Sequence, residues 1–210
     1  MPLVVRPVEH ADVTDCIGIR TATLGSLVIG RPPPYPGYVE EQEASLHKDL
    51  DQSPHVHHLK VVDSENGGEV FAYAKWEVYE HGRPDLAKLR EPMKQSDKEV
   101  DQFGLLRGAA HEYFCHRNGE AGKRPHLLLA LLVTSSKHRQ RGAGSLLVKW
   151  GIEMSEKSGL PCYLQASEQG RRLYSHYGFR DIDTVEFNLS DFGLDGIEKM
   201  TEMARKPYTS

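Results

Sequence analysis

The stretch KHRQRGAG, Lys137 to Gly144, follows the aliphatic run HLLLALLV, His126 to Val133. It precedes a segment in which Leu146, Leu147, Trp150 and Met154 recur at helical spacing. The pattern predicts a central strand, a short basic and glycine-bearing loop, and a helix. A helix start leaves about four backbone N–H groups unpaired, and the helix dipole adds roughly half a positive charge there. Gly142 and Gly144 remove side chains that would hold an anion away from those donors, and Arg139 and Arg141 add charge-assisted hydrogen bonds. The guest this predicts is a phosphate, and best of all a diphosphate. A plain tight strand-to-helix connection, its arginines facing solvent, fits the same residues. No Gly-Lys-Ser or Gly-Lys-Thr closes the loop, and the three-glycine dinucleotide spacing is absent.

Downstream, Gly159 ends the helix, Cys162 to Ala166 forms a strand and Glu168 to His176 a short helix. Strand, loop, helix, strand is a crossover unit, which places its two strands parallel in one sheet. Phe179 to Leu189 and Ile197 to Ala204 close the chain as a strand pair. Upstream, Leu3 to Val5 reads as a strand and Asp12 to Gly25 as a helix that Asp12 caps. The proline-rich VIGRPPPYPGY is a shaped loop, and Glu40 to Leu50 a second helix. His57 to Val62 and Val70 to Val78 form a hairpin turning at Asn66-Gly67-Gly68, the second strand having one strongly buried face. Gly82 to Glu99, broken by Pro84 and Pro92, is an excursion, and Val100 to Cys115 returns to helical spacing.

The 210 residues fit one domain spanning 1–210, with 39% hydrophobic and 27% charged residues suiting a globular chain. A formal net charge of −4 and scattered basic residues argue against nucleic acid as a partner. The longest aliphatic run is far below the roughly 20 residues that span a bilayer, so no membrane partner is expected. Cys16, Cys115 and Cys162 offer no disulfide framework and read as small apolar residues of a reducing compartment. A cytoplasmic setting is expected, with the nucleus as the alternative.

Two motifs together resemble the GCN5-related N-acetyltransferase (GNAT) superfamily. Arg139-Gln-Arg-Gly142-Ala-Gly144 is similar to its Arg/Gln-x-x-Gly-x-Gly/Ala loop, and Leu173-Tyr174-Ser-His-Tyr-Gly178-Phe179 to its Leu-Tyr-x-x-x-Gly-Phe segment. They stand in the expected order, and the whole is most similar to generic fungal small-molecule acetyltransferases. Ser135 and Ser136 depart from the proline that often follows the signature strand.

The resemblance implies a single α/β domain, with a mixed, mostly antiparallel central sheet and helices on both faces. A splayed strand pair would form the cofactor cleft. It implies direct acetyl transfer from acetyl-CoA to an amine in a ternary complex, without a metal. The backbone of Leu131, Leu132 and Val133 would lie along the pantetheine arm, and Arg139, Arg141, Gly142, Ala143, Gly144 and Ser145 would face the diphosphate. Tyr174 matches the tyrosine that protonates the leaving thiolate; packing against the sheet is its other reading. Ser167 is a cofactor contact, a helix cap, or both.

The general base is open among His126, Glu77 and Glu112. Tyr35, Tyr38, Tyr73 and Trp76 are candidates to line an acceptor pocket, against the reading that they pack core and loop. His55, His57 and His58 read as a solvated cluster before a metal site. A small-molecule amine is the expected partner and a peptide amine the next, for a monomer or homodimer. The competing function is a non-catalytic acyl-CoA-binding or interaction module on the same fold.

Overall fold

The computed structural model describes residues 2–23, 36–65, 68–86, 105–106, 108–110, 113 and 122–208. Among the described residues seven strands form one sheet: β1 (Leu3–Pro7), β2 (Val56–Asp63), β3 (Val70–Tyr79), β4 (His126–Thr134), β5 (Cys162–Ser167), β6 (Arg180–Asn188) and β7 (Ile197–Arg205). Their order is β1-β2-β3-β4-β5-β7-β6. Every neighbouring pair is antiparallel except β4 and β5. That parallel pair is the crossover the sequence predicts, joined through helix α3 (Ala143–Ser158); α4 (Glu168–His176) follows β5. Before them come α1 (Val13–Thr23) and α2 (Tyr38–Gln52).

Helices cover both faces. Val13, Cys16 and Ile17 of α1 and Leu46 of α2 pack with Tyr73 and Val133. Leu147 and Val148 of α3 pack with Ala72, Ala74 and Trp76. Tyr73 and Ala74 are adjacent, so these clusters lie on opposite faces of β3. This corrects the expectation of one strongly buried face: β3 is central and sheltered on both sides, and only Lys75 and Val78 escape full burial. Trp76 is fully buried, its indole nitrogen donates to Leu147 O at 3.1 Å, and its ring occupies the space a Cβ at Gly151 would need. Trp76 therefore locks α3 onto the sheet and is core.

Asp12 does not cap α1 in the simple manner predicted. It closes a short turn of 3-10 helix (His10–Asp12) by accepting from the Glu9 amide at 2.7 Å, and it pairs with Lys60 at 2.5 Å. The turn residues Asn66 and Gly67, and most of the Gly82 to Glu99 excursion, lie outside the described residues.

Candidate active site

β4 and β5 share only three register positions, Leu127 with Cys162, Leu128 with Tyr163 and Leu129 with Leu164. Beyond them the strands part. β5 turns to β7, which it follows along its whole length, while β4 stays with β3. The register between β3 and β4 passes from Trp76–Leu129 to Lys75–Leu131, leaving Ala130 as an extra, exposed residue. A one-residue bulge of this kind bends a strand and frees backbone groups from the ladder. The wedge holds a cavity of about 580 Å³.

The side of this wedge formed by α3 and α4 carries the anion-binding features. Gly142 caps α3 with φ +85°, and among the described residues no side chain caps the amides of the first turn. Gln140 also stands at positive φ, +62°. Gly144 faces Leu132, Thr134 and Leu173, with 3.4 Å between an added Cβ and Leu173 Cδ2. Arg139, Gln140, Gly142, Ala143, Gly144 and Ser145 all line the cavity, as do Leu131, Leu132 and Val133.

Ser167 also lines it, and its hydroxyl accepts from the Gly170 amide at 3.3 Å, so one residue serves as both cap and wall. Tyr174 completes this side. Its ring packs edge-on against Phe179 at 6.0 Å, and none of the described residues hydrogen-bonds its hydroxyl. Burial pushes its phenol well above the ordinary tyrosine range, so it stays protonated. Gly170, one helical turn earlier, makes room for the ring: an added Cβ would meet Tyr174 Cε2 at 3.1 Å.

The cavity also reaches the opposite face. Thr23, at the end of α1, and Leu131 and Val133, which pack toward that helix, line it. Met203 of β7 packs on the α3 side, so Glu198, five residues earlier in the same strand, projects to the α1 side. The opening between β4 and β5 thus joins the two faces of the sheet.

Several sequence-predicted residues lie elsewhere. Arg141 turns away from the cavity, its guanidinium 4.7 Å above the Phe71 ring and 3.0 Å from His138 Nδ1. His126 is buried at the far end of β4, where Nδ1 donates to Arg124 O at 2.7 Å and burial lowers its pKa. Glu77 accepts from Tyr79 at 2.7 Å and pairs with Lys75 at 3.4 Å, outside the cavity wall. Tyr73 is buried, its hydroxyl 2.7 Å from His58 Nδ1. Tyr38 opens α2 away from the wall. Tyr35 and Glu112 lie outside the described residues.

The three histidines are not one solvated cluster, because His58 is buried between Tyr73 and Asp49. His57 packs against Trp150 at 5.2 Å and His55 against Tyr79 at 5.5 Å. Among the described residues no three His, Cys, Asp or Glu side chains are placed to hold a metal ion, and no helix is long and apolar enough to cross a membrane. Sequence reasoning missed Thr23, Thr134, Gln165, Leu173 and the β7 residues Ile197 to Lys199 as cavity walls. Of these only Leu173, the first residue of the Leu-Tyr segment, carried a readable signal.

A probable acyltransferase, SID5, of Ajellomyces capsulatus is 33% identical over 145 residues, covering 62% of this chain and 94% of the relative. The chain belongs to the GNAT superfamily. No protein-family profile matches it. Arylalkylamine N-acetyltransferase 2 of Aedes aegypti superposes with a TM-score of 0.72 at 16% identity, covering 99% of this chain and 100% of the other. The polyamine N-acetyltransferase of Drosophila melanogaster gives 0.65 at 15% identity, with coverage of 98% and 100%. These two likenesses bear on the fold alone. A GNAT core thus accounts for the splayed parallel pair and the basic loop together.

Proposed function

We propose that this GNAT protein transfers the acetyl group of acetyl-CoA to a small-molecule amine by direct attack. The observation that carries the proposal is the opening through the sheet: donors for a diphosphate lie on the α3 side, and a separate wall of Thr23, Leu131 and Glu198 lies on the α1 side. Two substrates approaching from opposite faces meet at the wedge without a covalent enzyme intermediate, and holding them there lowers the entropic part of the barrier.

The amides of Ala143 to Ser145 and the Arg139 side chain hold the diphosphate. The Ala130 bulge supplies backbone polar groups freed from the ladder beside the thioester, suited to oxygen charge as it develops. As the amine nitrogen bonds to the carbonyl carbon, the C–S bond breaks and Tyr174 gives its proton to the sulfur. Glu198, on the acceptor side, receives the proton that the amine loses.

The likeness in shape to an arylalkylamine and a polyamine N-acetyltransferase agrees with a small amine as acceptor, and protein N-acetyltransferases of the same fold make a peptide amine the other outcome of the test. Release of free thiol from acetyl-CoA, measured across alkylamines, arylalkylamines, polyamines and peptides, tests the assignment. Mass-confirmed N-acetylation of a small amine supports it. Coenzyme binding with no product from any amine favours the binding-module reading.

A further inference from the structure

The basic loop is fastened from behind by a side chain that does not line the cavity. His138 lies flat on Phe71, with 3.7 Å between ring centroids and 1° between planes, and is 9% exposed. Its Nδ1 is 3.0 Å from Arg141 Nη1. Its Nε2 is 2.9 Å from Glu69 Oε1, close but off the line of a well-aimed hydrogen bond. A guanidinium only donates, so Nδ1 must accept and the ring proton of the neutral form sits on Nε2, toward the carboxylate. The closeness of His138, with the charges of Lys137 and Arg141 behind it, holds the Glu69 carboxyl below its ordinary pKa.

Phe71 is tied to the loop twice more. Its carbonyl accepts from the Ser135 amide at 2.9 Å, and Arg141 covers its ring. The chain then passes through Gln140 at φ +62° and Gly142 at φ +85° before α3 begins. A non-glycine residue rarely holds a left-handed conformation unless its surroundings impose it.

We infer that His138 is a positioning residue for coenzyme binding, pinning the loop to β3 so that the α3 amides face the diphosphate. The inference rests on the proposed reading of the loop and cavity. Arg141 acts with it from behind, which gives the second arginine of the motif a role other than direct phosphate contact.

The test is calorimetric binding of coenzyme A and of pantetheine, which lacks the diphosphate, to the whole protein and its variants. His138→Phe keeps a flat ring but removes both polar contacts, and is expected to cut the preference for coenzyme A over pantetheine by about tenfold. His138→Gln keeps one donor and one acceptor and is expected to recover part of that preference. An unchanged ratio in folded His138→Phe, or equal weakening of both ligands, overturns the inference. Should His138→Phe fail to fold, the exposed Glu69→Gln decides, with an expected loss of about threefold in the ratio; no loss overturns it. A wild-type protein that binds coenzyme A no tighter than pantetheine overturns the loop reading itself.

Discussion

Leu129 of β4 faces Leu164 of β5 at the last register position those parallel strands share. Both are buried and close the apex of the wedge; one residue later the Ala130 bulge begins. Among the described residues the cavity is therefore a product of strand divergence. Its depth is fixed by two leucines in the core, and its mouth by the first turn of α3.

Tyr174→Phe separates chemistry from binding. Removing a general acid costs typically about 10²–10⁴-fold in rate, so kcat should fall by at least about a hundredfold while coenzyme affinity stays near wild type. Burial raises the phenol's pKa, so the proton-donating form persists beyond the ordinary tyrosine range near 10. The wild-type kcat profile should show no alkaline loss from this group up to about pH 10. A wild-type rate in the variant contradicts the assignment.

The two glycines of the loop should respond differently. Gly142 stands at φ +85°, where an L-residue costs roughly 1–2 kcal/mol. Gly142→Val should weaken coenzyme A binding by about tenfold or more, measured by calorimetry. Gly144→Ala places its methyl 3.4 Å from a leucine side chain, an ordinary contact, and should bind coenzyme A within about threefold of wild type. Equal losses at both positions contradict the assigned backbone geometry.

How much of this was legible depended on whether a residue's role follows from its own chemistry. The loop could be read because positive φ and close approach single out glycine, and the crossover because a strand–helix–strand order admits a parallel pair. Trp76 and Tyr73 were harder. Alternation assigns a residue to a face but says nothing of what covers that face, and here helices cover both. The bulge at Ala130 was hidden inside an unbroken aliphatic run. Arg139 and Arg141, two positions apart, gave no sign of which one points inward. That depended on Phe71 and His138, one of them distant in sequence.

Trp76 as core makes a stability prediction. A Cβ at Gly151 would fall 2.1 Å from Trp76 Cζ2, a distance that forces movement of a fully buried ring. Gly151→Ala should cost about 1–3 kcal/mol, lowering Tm by about 2–4 °C for each kcal/mol in a chain of this size. The acceptor KM of the folded variant should not change. A shift in KM with no loss of Tm would return Trp76 to the acceptor wall.

His58 should make the fold acid-sensitive. Burial, then the charge of Lys75, depresses its pKa from 6.5 to about 4 despite the Asp49 carboxylate 3.2 Å away. Burial alone would raise Asp49, yet hydrogen bonds from Lys75 and His58 hold it lower, so that carboxylate remains charged through this window. The native state keeps His58 neutral while the unfolded chain protonates near 6.5, so stability is full above that pH and falls toward 4. The size is on the order of 3 kcal/mol. Denaturant unfolding at pH 7.5, 6, 5 and 4.5 should show this slope, reduced in His58→Gln; parallel slopes contradict it.

The central claim meets its most direct test in a crystal structure of the protein with acetyl-CoA. The account predicts diphosphate oxygens within hydrogen-bonding distance of the amides between Gly142 and Ser145. It also predicts the acetyl group beside the Ala130 bulge, with the sulfur near the Tyr174 hydroxyl. A nucleotide bound away from the start of α3, or an acetyl arm that does not enter between β4 and β5, contradicts it.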